Sequence, residues 1–292
     1  MKTKLFVLLT GLLTLAAGLH AAQKVKGNGN VITRTISITD YDEISIAGNM
    51  TFEYEQSDAA PFLSITTDEN IFQYLRAEVK GHKLSIGPEH EGNRFQSTYS
   101  YNLEPTVYKV KSNSRDLKKL SKAGSGHFMV LSPLNVARLH FSLAGSGILE
   151  LTKDLTCEEA TVDLAGSGRV NVNGALNAAR LNLNLAGSGR IELAKDLTCE
   201  EVKVRLSGSG RAKIGGSAQK ASYAMSGSGR IEAFGCKTDR ANVTLSGSGR
   251  VELFTNEELV ASSSGSGNIL YRGKPSSIKK STSGSGSVRQ DD

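Results

Sequence analysis

The chain has 292 residues and a formal net charge of +6 at pH 7, from 35 Lys and Arg against 29 Asp and Glu. Both signs are interspersed, so the excess is that of an ordinary solvated surface and does not indicate a nucleic-acid partner. Aromatic residues make up only 6% of the chain and Trp is absent, which argues against a large conventional core and against an aromatic platform for sugars.

Residues 1–22 have the organisation of a secretory signal peptide. A positive start with Lys2 and Lys4 is followed by a largely apolar run from Leu5 to Leu15, and small alanines end the segment. A transmembrane anchor is disfavoured because the apolar run is short and no second hydrophobic stretch follows. We therefore expect an exported protein without a transmembrane segment in its mature chain, in the periplasm, associated with the outer membrane, or extracellular.

Residues 23–121 are predicted to form an N-terminal β-rich part in which a repeat array begins. Ala47-Gly48-Asn49 follows an alternating isoleucine pattern and stands where Ala-Gly-Ser stands later, so it is predicted to be a degenerate early copy. Asp68 is predicted to be the N-cap of a short helix that continues to Leu75 and covers the open end of the array. Residues 87–104, with His90 and Arg94, are polar and are predicted to form a long loop able to carry specificity.

Residues 122–292 are dominated by the sequence Gly-Ser-Gly, which recurs nine times at intervals of 18 to 21 residues. A repeat of about 20 residues is one structural unit that must stack on its neighbours to bury its apolar face. Apolar residues alternate with polar ones at a fixed phase around each copy, whereas a flexible Gly/Ser linker has no such phase. The closing glycines are Gly126, Gly147, Gly168, Gly189, Gly210, Gly229, Gly249, Gly267 and Gly286.

The predicted fold is all-β: a right-handed parallel β-helix-like solenoid, with a short helix-bearing N-terminal part. Each coil is expected to hold three short strands with inward aliphatic columns and turns at Gly or Asn. The right hand is expected because parallel crossover connections strongly favour it.

The three cysteines are predicted to be buried thiols rather than disulfide partners or zinc ligands. Cys157 and Cys199 lie 42 residues apart, which corresponds to two coils. Their sulfurs would then lie about 10 Å apart along the axis, farther than a disulfide can bridge. By the same count Cys236 is expected about two coils farther on. No CxxC motif or clustered His accompanies them, so no metal or other cofactor is predicted.

A column of cations is the sharpest candidate for a binding site. Five arginines directly follow their Gly-Ser-Gly copies, so they should stack on one outer face, where like charges in register repel. The column is interpreted either as a solvated face, salt-bridged by Glu192, Glu232 and Glu252, or as a strip for an anionic polymer. Its members are Arg169, Arg190, Arg211, Arg230 and Arg250.

No catalytic residues are predicted. The serines of the Gly-Ser-Gly copies form a second column whose hydroxyls are expected to hydrogen-bond along the ladder, and no nearby His and Asp would activate them. Acidic residues such as Asp154, Asp163 and Asp196 recur because the repeat recurs, so duplication is a sufficient explanation for them.

The sequence resembles the putative auto-transporter adhesin, head GIN domain family over about residues 38–288. The matching features are ISIAGNMTFEYEQ, TTDENIFQYLRAEVKGHKLSI and the run of Leu-x-Gly-Ser-Gly repeats. The resemblance implies a parallel β-helix-like fold in the envelope of Gram-negative bacteria, and no catalytic or ligand residues transfer with it.

We therefore expect a non-catalytic envelope protein that acts by surface contact, in adhesion or as a scaffold. A polysaccharide or a host or cell-surface protein is the expected partner, and an oligomer is compatible with the sequence. A carbohydrate-active β-helix lyase or hydrolase is the alternative, and convergence of carboxylates in one cleft would favour it.

Overall fold

The structure is a computed structural model that describes residues 23–91, 99–193 and 196–291. It is nearly all β, with 73% of residues in strands and 2% in helix. One 3₁₀ helix (Glu69–Tyr74) lies between β5 and β6. The strands of the described residues are β1 (Gln23–Lys26), β2 (Val31–Ser37), β3 (Glu43–Ala47), β4 (Thr51–Gln56), β5 (Phe62–Asp68), β6 (Leu75–Lys80), β7 (Lys83–Pro88), β8 (His90–Glu91), β9 (Tyr99–Glu104), β10 (Tyr108–Ser114), β11 (Lys119–Ala123), β12 (His127–Val130), β13 (Leu134–Gly145), β14 (Ile148–Leu151), β15 (Leu155–Gly166), β16 (Arg169–Val172), β17 (Leu176–Gly187), β18 (Arg190–Leu193), β19 (Leu197–Gly208), β20 (Arg211–Gly227), β21 (Arg230–Gly247), β22 (Arg250–Gly265), β23 (Asn268–Arg272), β24 (Ser277–Ser283) and β25 (Ser287–Gln290).

The chain winds into a β-solenoid of about eight coils, which confirms the predicted all-β solenoid; its hand remains a prediction. A regular coil has a long strand of 12 residues, a Gly-Ser-Gly turn and a short strand of four residues, as in β13 and β14. Equivalent strands pair in parallel, so each residue lies beside its counterpart one coil later. The prediction of three short strands per coil was wrong in detail, because two of them join into the long strand, whose pairing is interrupted at Ala137 and Glu158.

The interior is built from columns of stacked apolar side chains. One column contains leucines and a methionine in strict register, from Leu143 through Leu164, Leu185 and Leu206 to Met225. All of them are buried. Inward positions alternate with outward ones along each strand, so the period-2 sequence pattern places every second residue in the core.

The glycine turns are required for close stacking of the coils. The first glycine of a copy has a positive φ, +115° at Gly208, which L-residues with a Cβ rarely adopt. A Cβ at the closing Gly210 would lie 2.7 Å from the carbonyl oxygen of Gly189 and 2.7 Å from Cδ2 of Leu185. A side chain at either position would therefore push neighbouring coils apart.

The N-terminal part continues the same stack and then ends it with antiparallel strands. β3 pairs in parallel with β11, with Ala47 beside Ala123, and Gly48 has a φ of +112°, so the predicted early copy is confirmed. Beyond this coil, β5 pairs antiparallel with β10 and β2, and β6 pairs antiparallel with β7.

The predicted helix after Asp68 is not confirmed as such, because the structure has only the six-residue 3₁₀ segment there. So short a link between two strands cannot complete several α-helical turns. Asp68 makes no side-chain cap hydrogen bond. Its buried carboxylate instead accepts hydrogen bonds from the backbone N–H of Gly29 at 2.7 Å, the N–H of Thr106 at 2.6 Å and the Thr106 hydroxyl at 2.8 Å.

The predicted loop at residues 87–104 was wrong for most of its described part. β8 and β9 lie within it and form a three-stranded sheet with β1, in which β9 is parallel to β1 and antiparallel to β8. Strand pairing with a distant segment overrides the polar local sequence. Arg94 lies outside the described residues.

The C-terminal coil is more polar than the others. All seven residues of β24 are exposed, including Ile278, whereas the preceding coil buries every second partner position, Leu259, Ala261 and Ser263. Lys280 folds across the end of the core, with Nζ 4.7 Å from the ring centroid of Tyr271 and donating to its hydroxyl at 3.2 Å. This arrangement is that of a polar terminal repeat that limits end-to-end strand pairing.

The three cysteines are free thiols. Cys157 and Cys199 both stand in register with Ala178, which confirms their predicted separation of two coils. Cys199 and Cys236 are buried, whereas Cys157 is only partly buried. Cys236 also lies two coils after the coil of Cys199, as predicted, but it stands beside Gly216, whereas Thr238 occupies the position in register with Cys199.

Candidate functional site

The arginine column is in register over five successive coils. Arg169 pairs with Arg190, Arg190 with Arg211, Arg211 with Arg230, and Arg230 with Arg250. Ile148 precedes the column and Asn268 follows it. The sequence therefore predicted the stacking of these cations correctly.

The carboxylates beside the column neutralise only part of its charge. Arg190 lies 3.6 Å from Glu192, and Arg250 lies 3.5 Å from Glu252. Glu232 is shared, at 3.4 Å from Arg211 and 3.6 Å from Arg230. These arginine side chains are 40–44% exposed, and such ion pairs contribute little.

Positive charge is in excess at the N-terminal half of the column. Within the described residues, neither Arg169 nor Lys213 has an ion-pair partner, and Lys213 stands between Glu192 and Glu232 in register. Glu150, one coil before this half, already accepts from Asn173 at 2.8 Å and lies 3.1 Å from His127.

A second charged column on the same solenoid has a different pattern. Its first five members alternate in sign, and all members stand in register one coil apart. Opposite charges on adjacent strands attract, so such a column stabilises the stack, whereas five arginines in register oppose it. The members are Arg138, Glu159, Arg180, Glu201, Lys220, Arg240 and Glu258.

A polar groove runs beside the arginine column, and we call it the serine–arginine groove. One section has a volume of about 450 Å³ and the next about 230 Å³, and they share Ser188, Gly189 and Arg190. The two sections therefore form one continuous channel along the axis. Its lining is Ser146, Ile148, Ser167, Gly168, Arg169, Ser188, Gly189, Arg190, Ser209, Gly210, Arg211, Ser228, Gly229, Arg230, Ser248, Gly249, Arg250 and Asn268.

The serine hydroxyls of this groove are exposed and do not form the predicted ladder. In the described part of the chain, no hydrogen bond joins successive serine hydroxyls of the Gly-Ser-Gly copies. Coil-to-coil bonding is made by the backbone instead, as where the N–H of Ser188 donates to the carbonyl of Gly166 at 3.0 Å. Because the backbone holds the stack, the hydroxyls are left available to a ligand. Sequence reasoning missed this.

An apolar groove of about 620 Å³ lies on the other side of the glycine turns, along the ends of the long strands. Exposed Ala144, Ala165 and Ala186 line it at the N-terminal side, and serines replace them farther along. We call it the alanine groove. The small residue before each Gly-Ser-Gly is the one sequence feature that indicates it.

The recurring acidic residues are used to join neighbouring coils. Asp163 accepts from Asn184 at 2.7 Å and lies 2.7 Å from Nε2 of His140. Asp154 accepts from the backbone N–H of Ala175 at 2.9 Å. Among the residues that the structure describes, no cluster of His, Cys, Asp and Glu has the arrangement of a metal site.

The family comparison agrees with this architecture. The profile of the family described as "Putative auto-transporter adhesin, head GIN domain" matches residues 40–182 and 160–275. The chain belongs to this family. Its family and structural neighbours indicate an adhesion-type role at the cell surface or after export, and they favour a non-enzyme.

Three solved structures illustrate the similarity. A putative lipid binding protein from Parabacteroides distasonis is 39% identical, with 92% of this chain and 100% of that chain covered and a TM-score of 0.72. A putative adhesin from Parabacteroides merdae is 27% identical, covering 93% and 100%, with a TM-score of 0.70. A putative adhesin from Parabacteroides distasonis is also 27% identical, covering 92% and 100%, with a TM-score of 0.66. No curated protein matches the chain.

Helices in the described residues are too short and too polar to cross a membrane.

Proposed function

We propose that this family member is an exported, non-catalytic protein of the cell envelope that acts by surface contact. Its contact surface is the serine–arginine groove, which binds an anionic ligand. Residues 1–22, with the organisation of a signal peptide, support export to the periplasm, the outer membrane or the cell exterior.

The observation that carries the proposal is the contrast between the two charged columns. The column that begins with Arg138 and Glu159 alternates in sign over its first five coils, as expected where charge serves only to join strands. The arginine column instead repeats one sign over five coils. The repulsion between these stacked arginines is compensated when an anion occupies the groove, because guanidinium groups form strong charge-assisted hydrogen bonds to carboxylate and phosphate.

Surface contact fits the groove better than catalysis does. Glycoside hydrolysis by the common mechanism needs a pair of carboxyl groups on either side of the scissile bond. Serine, glycine and arginine make up nearly all of the groove lining, and the three nearby glutamates are ion-paired.

The proposal is tested on cells that carry the wild-type protein or the variant Arg190→Gln/Arg211→Gln. Degradation by external protease on intact cells, with a periplasmic marker intact, would place the protein at the cell surface, whereas protection would place it in the periplasm. In either location, the purified variant should lose attachment to a surface coated with an anionic polysaccharide that the wild type binds. The matched control, Arg138→Gln/Arg180→Gln, removes the same charge from the alternating column and should attach normally. Equal attachment by wild type and both variants would contradict a contact role for the groove.

Lipid binding in the alanine groove is a second candidate function. It is supported by the apolar lining of that groove and by the relative at 39% identity described as a putative lipid binding protein. Titration with a fluorescent fatty acid tests it: saturable binding that Ala165→Glu abolishes is expected, and absence of saturable binding by the wild type would contradict it.

A further inference from the structure

We infer that the ligand of the serine–arginine groove is a linear polyuronate that lies parallel to the solenoid axis. This inference rests on the proposed function and names the ligand class for the same groove.

The length and direction of the groove require a polymer. Adjacent coils are about 4.8 Å apart, so the five arginines span about 19 Å along the axis. The two sections adjoin, since Ser188, Gly189 and Arg190 line both. A single small anion would meet one or two guanidinium groups, whereas a chain with repeated charges would meet all five.

The composition of each coil matches one uronate sugar. Every coil from Arg169 to Arg250 presents one guanidinium group and, beside it, the exposed hydroxyl of one serine. A uronate unit carries one carboxylate, which accepts a bidentate pair of bonds from Arg, together with several hydroxyls that bond to Ser.

The lining also disfavours single-stranded nucleic acid. Proteins that bind single strands place aromatic side chains where bases stack, and none of the described residues that line this groove is aromatic. A hydroxyl-rich chain needs no such platform, because its contacts are hydrogen bonds along the serine column.

The distribution of carboxylates predicts where the polymer binds most tightly. In the first three coils, Arg169 and Lys213 have no ion-pair partner in the described residues and Arg190 is paired with Glu192. In the last two coils both arginines are paired, Arg230 with Glu232, which also holds Arg211, and Arg250 with Glu252. The N-terminal half should therefore bind first, and Glu232 should compete with the ligand for two arginines.

The test is calorimetric titration of the full mature protein with oligogalacturonates of increasing length at low ionic strength. Affinity should rise with each added sugar until the chain reaches the length of the groove, and then level off. Arg190→Gln/Arg211→Gln should weaken binding by about tenfold per arginine, as expected for hydrogen bonds between charged groups. Arg138→Gln/Arg180→Gln should bind like wild type, and Glu232→Gln should bind more tightly.

Each other outcome overturns a defined part of the account. If affinity does not depend on the length of the oligogalacturonate but is lost in Arg190→Gln/Arg211→Gln, the groove binds anions and the inference of a polymeric ligand is overturned. If dextran sulfate or inorganic polyphosphate binds more tightly than an oligogalacturonate with equal charge, the assignment of the ligand as a polyuronate is overturned. No binding of any of these polyanions would overturn the proposed anion-binding function as well.

Discussion

Lys122 provides the sharpest test of the packing, because it is a buried cation in a column of apolar residues. It stands in register between Ile46 and Leu143, is only 3% exposed, and its Nζ has no hydrogen-bond partner within the described residues. Replacing it by methionine should stabilise the protein, since removing an unpaired buried charge relieves a desolvation cost.

The magnitude follows from the pKa of this lysine. Burial lowers the pKa of Lys122 from 10.5 to about 8. At 1.36 kcal/mol per pKa unit, the charged form costs the folded state about 3 kcal/mol. Between pH 8 and 10.5 the unfolded chain binds more protons than the folded one, so this cost is fully present at pH 7 and decreases as the pH rises.

The assay compares urea unfolding of wild type and Lys122→Met at pH 7 and pH 10. The variant should be more stable by up to about 3 kcal/mol at pH 7, and the advantage should fall to about 1 kcal/mol at pH 10. Because solenoids can unfold coil by coil, amide exchange of β11 and β13 should report the change locally. The control is Lys119→Met, an exposed neighbour, which should change little. A less stable Lys122→Met, or an advantage equal at both pH values, would refute the reasoning.

Three further outcomes are expected. Gly210→Ala should lower the free energy of unfolding by about 1–3 kcal/mol, because the added methyl group overpacks against the preceding coil. Ser209→Ala in the same turn should change the free energy of unfolding by less than about 0.5 kcal/mol. Equal effects of the two substitutions would contradict the steric argument. Burial raises the pKa of both thiols, that of Cys157 to about 11 and that of Cys199 to about 12, but Cys157 is only partly buried. Cys157 should therefore react with a thiol reagent at pH 8 before Cys199, and simultaneous labelling would disagree. Burial opposes ionisation of Asp68, but the hydrogen bonds that its carboxylate accepts outweigh burial and lower its pKa. The N-terminal strands should therefore lose protection from amide exchange as the pH falls below about 4, and Asp68→Asn should remove this dependence. An unchanged acid transition in the variant would count against the role of this carboxylate.

The repeat made the solenoid predictable from sequence. A constant spacing of Gly-Ser-Gly with alternating apolar residues requires stacking, and it placed Arg190 beside Arg211 and Cys157 two coils from Cys199. The errors lie where contacts are distant in sequence. The pairing of β9 with β1, and the use of Asp68 to hold Gly29 and Thr106, depend on segments about 40 to 80 residues apart that no local pattern reveals.

The candidate site was predictable in position but not in character. Sequence spacing predicted the arginine column. Only the structure shows that the serine hydroxyls do not bond to one another, that Glu232 pairs with two arginines, and that a second column alternates in sign. The length of the groove also depends on whether successive coils keep the same register. The sequence indicates this register only indirectly, because the intervals between the Gly-Ser-Gly copies vary from 18 to 21 residues.

A crystal structure of the protein with an oligogalacturonate long enough to cross the groove tests the central claim most directly. The account predicts sugar density parallel to the solenoid axis, with carboxylate oxygens about 2.7–2.9 Å from the guanidinium nitrogens of Arg190 and Arg211 and hydroxyls bonded to Ser188 or Ser209. Density confined to the alanine groove, or across the coils rather than along them, would contradict it.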